Sequence, residues 1–222
     1  MLPAISVILP AYNAASFLDD ALRSILAQRV PVAEILVVDD GSDDDTAGVA
    51  QSWGAPVRML SQPHRSAAAA RNLGVQHAAG QMLAFLDADD IWDPQKLQRQ
   101  LAAPGVIGGQ AIAFGQCREF SDPADRFPIR AELVAAPSLS SMLIARDTFL
   151  DVGLFREDLA LGELMEWLGR PAAARLPQHM VPDAHFLRRV HASNTTRQAG
   201  RAAAYLGILR ERRNSTRRTG AI

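Results

Sequence analysis

Three short polar runs carry the side chains most capable of chemistry: Tyr12-Asn13, Asp39-Asp40-Gly41-Ser42 and Asp87-Ala88-Asp89. Each follows an apolar run, and in an open parallel sheet ligands bind beyond the carboxyl ends of the strands. Aspartates converging on one rim repel one another unless a cation, a donor-rich ligand or strong solvation offsets the repulsion. Asp-x-Asp presents carboxylate oxygens that suit Mg2+ or Mn2+, ions that complete their shell with substrate phosphates. That chemistry points to a nucleotide diphosphate. The competing reading of the same residues is a solvated loop whose aspartates cap helices.

Asp40 could accept the N3–H of a uracil or thymine ring, with Tyr12 stacked on that ring. Alternatively, Asp39 and Asp40 form a turn ahead of Gly41 and cap the next helix. Arg71, in Ala70-Arg71-Asn72-x-Gly74, sits in an alanine-rich segment that must pack closely, as either a surface residue or a diphosphate clamp.

The elements that must position these groups alternate along the chain. Apolar, β-branched runs at Ile5–Leu9, Glu34–Val38, Val57–Leu60 and Met82–Leu86 predict four buried strands. Between them, Ser16 is expected to cap one helix and Asp45 or Thr46 to start a second. Ser66 should cap a third, running to about His77, and Asp93-Pro94 should open a fourth through Lys96 and Leu101. Strands alternating with helices predict an α/β fold with a mixed, mainly parallel sheet flanked by helices in a single domain. Later in the chain, 111–118, 139–145 and His185–His191 are expected as strands. Asp147 should cap a short helix, Gly162 to Gly169 is a helical piece, and 197–213 predicts an arginine-rich helix. The expected division is a ligand-binding half (1–104), a second half of the same domain (105–192) and a C-terminal tail (193–222).

With 222 residues, 48% of them hydrophobic, and a formal net charge of −1, the chain is neither disordered nor fibrous. Charge is uneven: residues 1–100 carry 12 acids and 7 bases, whereas 171–222 carry 2 acids and 10 bases. The basic tail predicts either a solvated helix or a contact with an acidic membrane or a partner protein. Nucleic acid is not expected, because the rest of the chain is acidic and lacks an aromatic-basic platform. One cysteine, Cys117, allows no internal disulfide, and no apolar stretch is long enough to span a membrane. The start lacks a signal-peptide pattern, so cytoplasmic residence, extending to the inner membrane surface, is the expectation.

The blocks SVILPAYN, EILVVDDGSDDDT, AAARNLG and LAFLDADDIWDPQKL, in this order, resemble the nucleotide-sugar-binding half of family 2 glycosyltransferases with the Rossmann-like GT-A fold. A looser resemblance continues through SSMLIARDTFLDVGLF, GELMEWLGR and FLRRVHASNTT. It implies a nucleotide-sugar donor, UDP-sugar favoured, and a divalent cation, Mn2+ or Mg2+, held by Asp89. By position, Pro10, Tyr12, Asn13, Asp40, Arg71, Asp87 and Ala88 would bind the donor, Asp40 at the base and Asp87 at the ribose. His191 would be a further metal ligand or a diphosphate contact, or else a buried histidine at a strand end.

Inverting relatives commonly carry Glu-Asp where this chain has Glu163-Leu164, so that aspartate is absent. Glu163 and Glu166, three apart, share one helical face and are the candidate bases. Glu166 is slightly favoured because Trp167 beside it could form a sugar platform. The implied reaction is metal-dependent inverting transfer to an acceptor such as a polysaccharide, a lipid-linked sugar or a peptide. The alternatives are a silent nucleotide-sugar binder, motivated by Leu164, and a nucleotidyltransferase. A phosphatase would need Asp-x-Asp on its first strand and a later lysine. A dinucleotide oxidoreductase would need Gly-x-Gly-x-x-Gly where Pro10-Ala11-Tyr12-Asn13 stands.

Overall fold

The four early apolar runs become parallel neighbours: β1 (Ile5–Ala11), β2 (Glu34–Asp39), β3 (Val57–Ser61) and β4 (Met82–Phe85). The computed structural model describes residues 2–122, 127–159, 161–192 and 194. Val7 lies opposite Ile35 of β2 and Ala84 of β4, so β1 is flanked on both sides and every residue in it is buried. Period-two alternation then divides its side chains between two layers. Val7, Leu9 and Ala11 pack with Leu18, Leu22 and Ile25 of α1 (Leu18–Leu26). Ile8 faces the other way, onto Ala68 and Val75 of α3 (Ala67–His77).

Downstream elements extend the sheet with mixed polarity. They are β5 (Ile91–Trp92), β6 (Ile112–Phe120), β7 (Leu143–Ala145) and β8 (Gln178–Arg189). The strand order is β3-β2-β1-β4-β7-β6-β8-β5. β7 runs antiparallel to both β4 and β6, whereas β8 runs parallel to β6 and antiparallel to β5. The register of β6 on β8 breaks between Phe114 and Gln116. Gly115 stands at that break because any Cβ there would run into the Ala184 carbonyl. The remaining helices are α2 (Thr46–Ser52), α4 (Lys96–Leu101), α5 (Arg146–Val152), α6 (Glu163–Leu168) and α7 (Pro171–Ala174). The result is the expected α/β fold with a mixed sheet covered on both faces.

Several local expectations are corrected. Ser66 does cap α3, accepting the Ala69 N–H at 3.1 Å, but Ser16 caps nothing. Entry into α1 is fixed instead by Ala14, whose carbonyl accepts from Leu18 N and whose N–H donates to Thr46 Oγ1. Thr46 does open α2, with Asp44 rather than Asp45 accepting its N–H. Asp93 accepts from Gln95 N, so it shapes the turn before α4 and Pro94 precedes the helix. Asp147 lies in the first turn of α5 without a capping bond. Segment 139–145 is a 3-10 turn at Leu139–Ser141 followed by a three-residue strand. Ser141 bonds back to the Ser138 carbonyl there, and such local bonds draw backbone away from a ladder. The closing strand begins at Gln178, not His185.

No helix among the described residues is long and apolar enough to cross a membrane. The arginine-rich segment 197–213, and any membrane or protein contact through it, lies outside the described residues.

Candidate active site

At the β1 and β2 ends the loops bind one another through short polar bonds. The Asn13 N–H donates to Ser42 Oγ at 2.9 Å, and Asn13 Oδ1 accepts from Asp43 N at 2.8 Å. Asn13 takes a positive φ of 49°, which asparagine tolerates better than most residues. Asp39 Oδ1 accepts from both the N–H and hydroxyl of Ser42, so Asp39 is the turn former. Asp40 is differently placed. Its Oδ1 accepts from Gln62 Nε2 at 2.6 Å and from Arg65 N at 3.0 Å. Its Oδ2 lies 3.1 Å from His64 Nδ1, and the His64 ring stacks on half-exposed Tyr12 at 4.1 Å. His64 therefore touches both Tyr12 and Asp40.

Arg71 is neither a surface residue nor free to swing. It is 5% exposed; its Nη2 donates to Asp87 Oδ1 at 2.5 Å and its Nη1 to Glu163 Oε1 at 2.6 Å. Small alanines at 68, 69 and 70 let α3 lie close to the sheet, and that closeness buries the guanidinium. Burial works against its charge, but Asp87 and Glu163 more than compensate, holding its pKa above the ordinary arginine value. Its Nε is buried with no hydrogen-bond partner among the described residues, an N–H left for a further acceptor.

Asp89 meets the C-terminal element directly. Its Oδ2 lies 2.9 Å from His191 Nε2 and accepts from Asn194 Nδ2 at 3.1 Å; Asn194 Oδ1 in turn accepts the His191 N–H. Behind it, Arg189 Nε donates to the Asp89 carbonyl, while its two Nη atoms bind Asp122 and Asp20. Asp90 points inward, 3% exposed, and accepts from Ser140 Oγ and Arg189 N. Burial, with Asp89 and Asp87 nearby, pushes its carboxyl well above the usual range. Ser140 Oγ also accepts the Asp87 N–H, so one buried hydroxyl braces the Asp-x-Asp turn.

Among the described residues no three His, Cys, Asp or Glu side chains form a closed metal cage. A carboxylate oxygen, a donor that suits Mg2+ or Mn2+, meets one imidazole nitrogen there, a donor more typical of later transition metals. An all-protein cage is not what Mg2+ requires.

Two candidate bases part company. Glu163 opens α6 and reaches Arg71; Glu166 instead pairs with Arg170 four residues on, Oε2 to Nη2 at 2.7 Å. Trp167 is fully buried, stacks on Phe149 and donates Nε1–H to the Gly153 carbonyl, so it forms no sugar platform. The reason for preferring Glu166 thereby disappears. Leu164 packs against the same apolar layer. Pro10 lies buried in β1 opposite Val38, and Ala88 is buried between its aspartates; neither offers a polar side chain. Sequence reasoning missed His64, Ser140 and Arg189. Arg189 carries a signal of a kind, an arginine inside a predicted strand; His64 and Ser140 carry none in the periodicity.

The sequence model for glycosyl transferase family 2 matches residues 6–135. An uncharacterised glycosyltransferase of Rickettsia felis is 30% identical over 176 residues, 71% of this chain and 29% of that protein. The chain spans about a third of the length of the first curated relatives it matches. In structure it is similar to S. aureus TarS 1-349 in complex with UDP-GlcNAc. The TM-score is 0.68 at 18% identity, covering 88% of this chain and 61% of that one. It is also similar to mannosyltransferase PcManGT of Pyrobaculum calidifontis in complex with GDP-Man and Mn2+. There the TM-score is 0.64 at 21% identity, covering 87% and 59%.

Proposed function

The chain belongs to glycosyl transferase family 2, and from that premise we propose that it moves a sugar from a nucleotide-diphosphate sugar to an acceptor hydroxyl. A UDP-sugar is the preferred donor, and the outcome is inversion. The observation that carries this reading is the Arg71 fork, which joins Asp87 on the donor rim to Glu163 from the second half of the fold. One guanidinium thus sets donor side and candidate base at a fixed spacing.

In this reading Tyr12 stacks on the base and Asp40 accepts its imide N–H. Asp87 faces the ribose, and the orphan Nε–H of Arg71 is available to a ribose or phosphate oxygen. Asp89 and His191 would hold the divalent cation, with Asn194 orienting the Asp89 carboxylate. When bound, such a cation neutralises charge on a departing diphosphate. Glu163 accepts the proton of the acceptor hydroxyl through Oε2, since Oε1 is held by Arg71. The acceptor oxygen bonds to the anomeric carbon as the carbon–phosphate oxygen bond breaks on the opposite face, and nucleoside diphosphate leaves. Polysaccharide ends, lipid-linked sugars and peptides are the acceptor classes to try.

The test is a thermal-shift panel of UDP-, dTDP- and GDP-sugars with and without Mn2+. A ligand at 100 times its Kd, bound only by the folded state, adds about 2.7 kcal/mol. A flat panel would overturn the donor assignment. With an acceptor present, transfer releases free nucleoside diphosphate, whereas a nucleotidyltransferase releases pyrophosphate and a silent binder releases neither. Asp89→Ala should abolish turnover; near-normal activity would remove the metal role.

A further inference from the structure

His64 sits where a nucleobase is expected. Its ring stacks on Tyr12 with centroids 4.1 Å and planes 27° apart. Its Nδ1 lies 3.1 Å from Asp40 Oδ2 and 3.0 Å from the Asp40 carbonyl oxygen. Both neighbours are acceptors, so Nδ1 is the nitrogen that carries hydrogen. A flat ring lying on a tyrosine, with its Nδ1–H on the Asp40 carbonyl and 3.1 Å from Asp40 Oδ2, fills the place that the proposed base site gives a pyrimidine. We propose that the His64 imidazole is an internal competitor for the base pocket, seated on Tyr12 and Asp40 until a nucleotide displaces it. The proposal rests on the reading of Tyr12 and Asp40 as the base site.

The backbone around His64 delivers the ring to this place. Gln62 N donates to the Asp39 carbonyl at 3.0 Å, and Arg65 N donates to Asp40 Oδ1 at 3.0 Å. Gly41, at φ +76°, allows the close approach: a Cβ there would stand 2.8 Å from His64 N. The segment is thus pinned against the 39–41 turn on both sides of His64. The His64 side chain is 57% exposed, against 5% for Asp40, so it can rotate toward solvent without disturbing the core.

Asp40 Oδ1 already has two protein donors, Gln62 Nε2 and Arg65 N. Oδ2 is the oxygen the imidazole covers. Ring and base therefore contend for one acceptor and one stacking surface, and His64 sets the apparent donor affinity. A ring seated nine-tenths of the time raises the apparent Kd about tenfold.

Calorimetric titration of the full chain with UDP tests this in wild type, His64→Ala, Tyr12→Ala and Asp40→Ala. The expected result is that His64→Ala binds UDP about three- to tenfold more tightly, while Tyr12→Ala and Asp40→Ala bind more weakly. Proton NMR of the wild-type His64 ring gives a second readout. The tyrosine-induced shift of its ring protons should disappear at saturating UDP. Unchanged or weaker binding by His64→Ala, with Asp40→Ala still impaired, overturns the competition and leaves the base site standing. A ring that stays stacked on Tyr12 at saturation overturns it as well. If Tyr12→Ala and Asp40→Ala both bind UDP like wild type, the base site itself falls, and the competition with it.

Discussion

Arg71 and Glu163, 92 residues apart in sequence, are joined by a 2.6 Å bond between Nη1 and Oε1. The other arm of the same guanidinium holds Asp87. Because Arg71 is buried in α3 and paired on two sides, it fixes where the first carboxylate of α6 can stand. Glu163 and Glu166 are similarly exposed, 14% and 18%, and each is paired with an arginine; they differ in that Arg71 also holds Asp87, whereas Arg170 holds the Val152 and Leu154 carbonyls.

Glu163→Gln should therefore lower turnover about 10²- to 10⁴-fold, the range for loss of a positioned general base. The glutamine carbonyl can still accept from Arg71, so UDP affinity should stay within about threefold of wild type, well under the 1.4 kcal/mol that a tenfold change represents. Release of nucleoside diphosphate, measured beside a UDP titration, separates the two effects. Turnover near wild type would place the base elsewhere.

Glu166→Ala should do the reverse. Glu166 and Arg170 form a half-buried bidentate pair, and Arg170 also donates to the Val152 and Leu154 carbonyls. The pair ties α6 to the end of α5, and its loss should cost about 1–2 kcal/mol, between exposed and buried ion pairs. Urea denaturation should show a lower midpoint while turnover per folded molecule is kept. A hundredfold loss of turnover would restore Glu166 as the base.

The contrast between these two glutamates marks how far sequence reading reaches. The strand ends were legible to within two residues, expected at Leu9, Val38 and Leu86 and found at Ala11, Asp39 and Phe85, because β-branched runs closed by polar clusters have one simple explanation in a parallel sheet. The Glu166–Arg170 pair spans the end of α6, four residues apart, a spacing at which helical side chains meet. The partner of Glu163 was not legible, since it comes from an element 92 residues away. Trp167 misled for a related reason: its neighbours Phe149 and Phe155 come from other segments, so the aromatic cluster that buries it leaves no periodic trace. His64 stands in an aperiodic loop between β3 and α3, and only the approach of Gly41 shows where that loop lies.

Asn194→Ala tests the metal end. Asn194 Nδ2 donates to Asp89 Oδ2, and its Oδ1 accepts the His191 N–H, so one carboxamide orients both candidate ligands. Groups that orient ligands without binding the ion are worth about ten- to a hundredfold in metal affinity. Titrating Mn2+ in the presence of saturating UDP should show a loss of that size. An unchanged Mn2+ affinity would mean that Asp89 and His191 do not act together on a cation.

Lys96, the chain's single lysine, gives a stability signature independent of the site. It is fully buried, its Nζ donates to Gln100 Oε1 at 2.9 Å, and it stands 4.0 Å from the Trp92 ring centroid. Neither partner carries charge, and burial pushes its ammonium well below the ordinary value of 10.5. Between the lowered folded value and 10.5 the unfolded chain binds a proton that the native protein has released. Stability therefore rises with pH across that window, and this contribution levels off on either side of it. Cys117, pushed up to about 11 by burial, contributes the opposite slope, but it is common to wild type and variant and cancels in their difference. Lys96→Met cannot titrate, so wild type should gain on it by up to about 1.4 kcal/mol per pH unit. Urea denaturation of both proteins at pH 9 and pH 10 measures that difference. Equal slopes would show that Lys96 keeps its charge inside the fold.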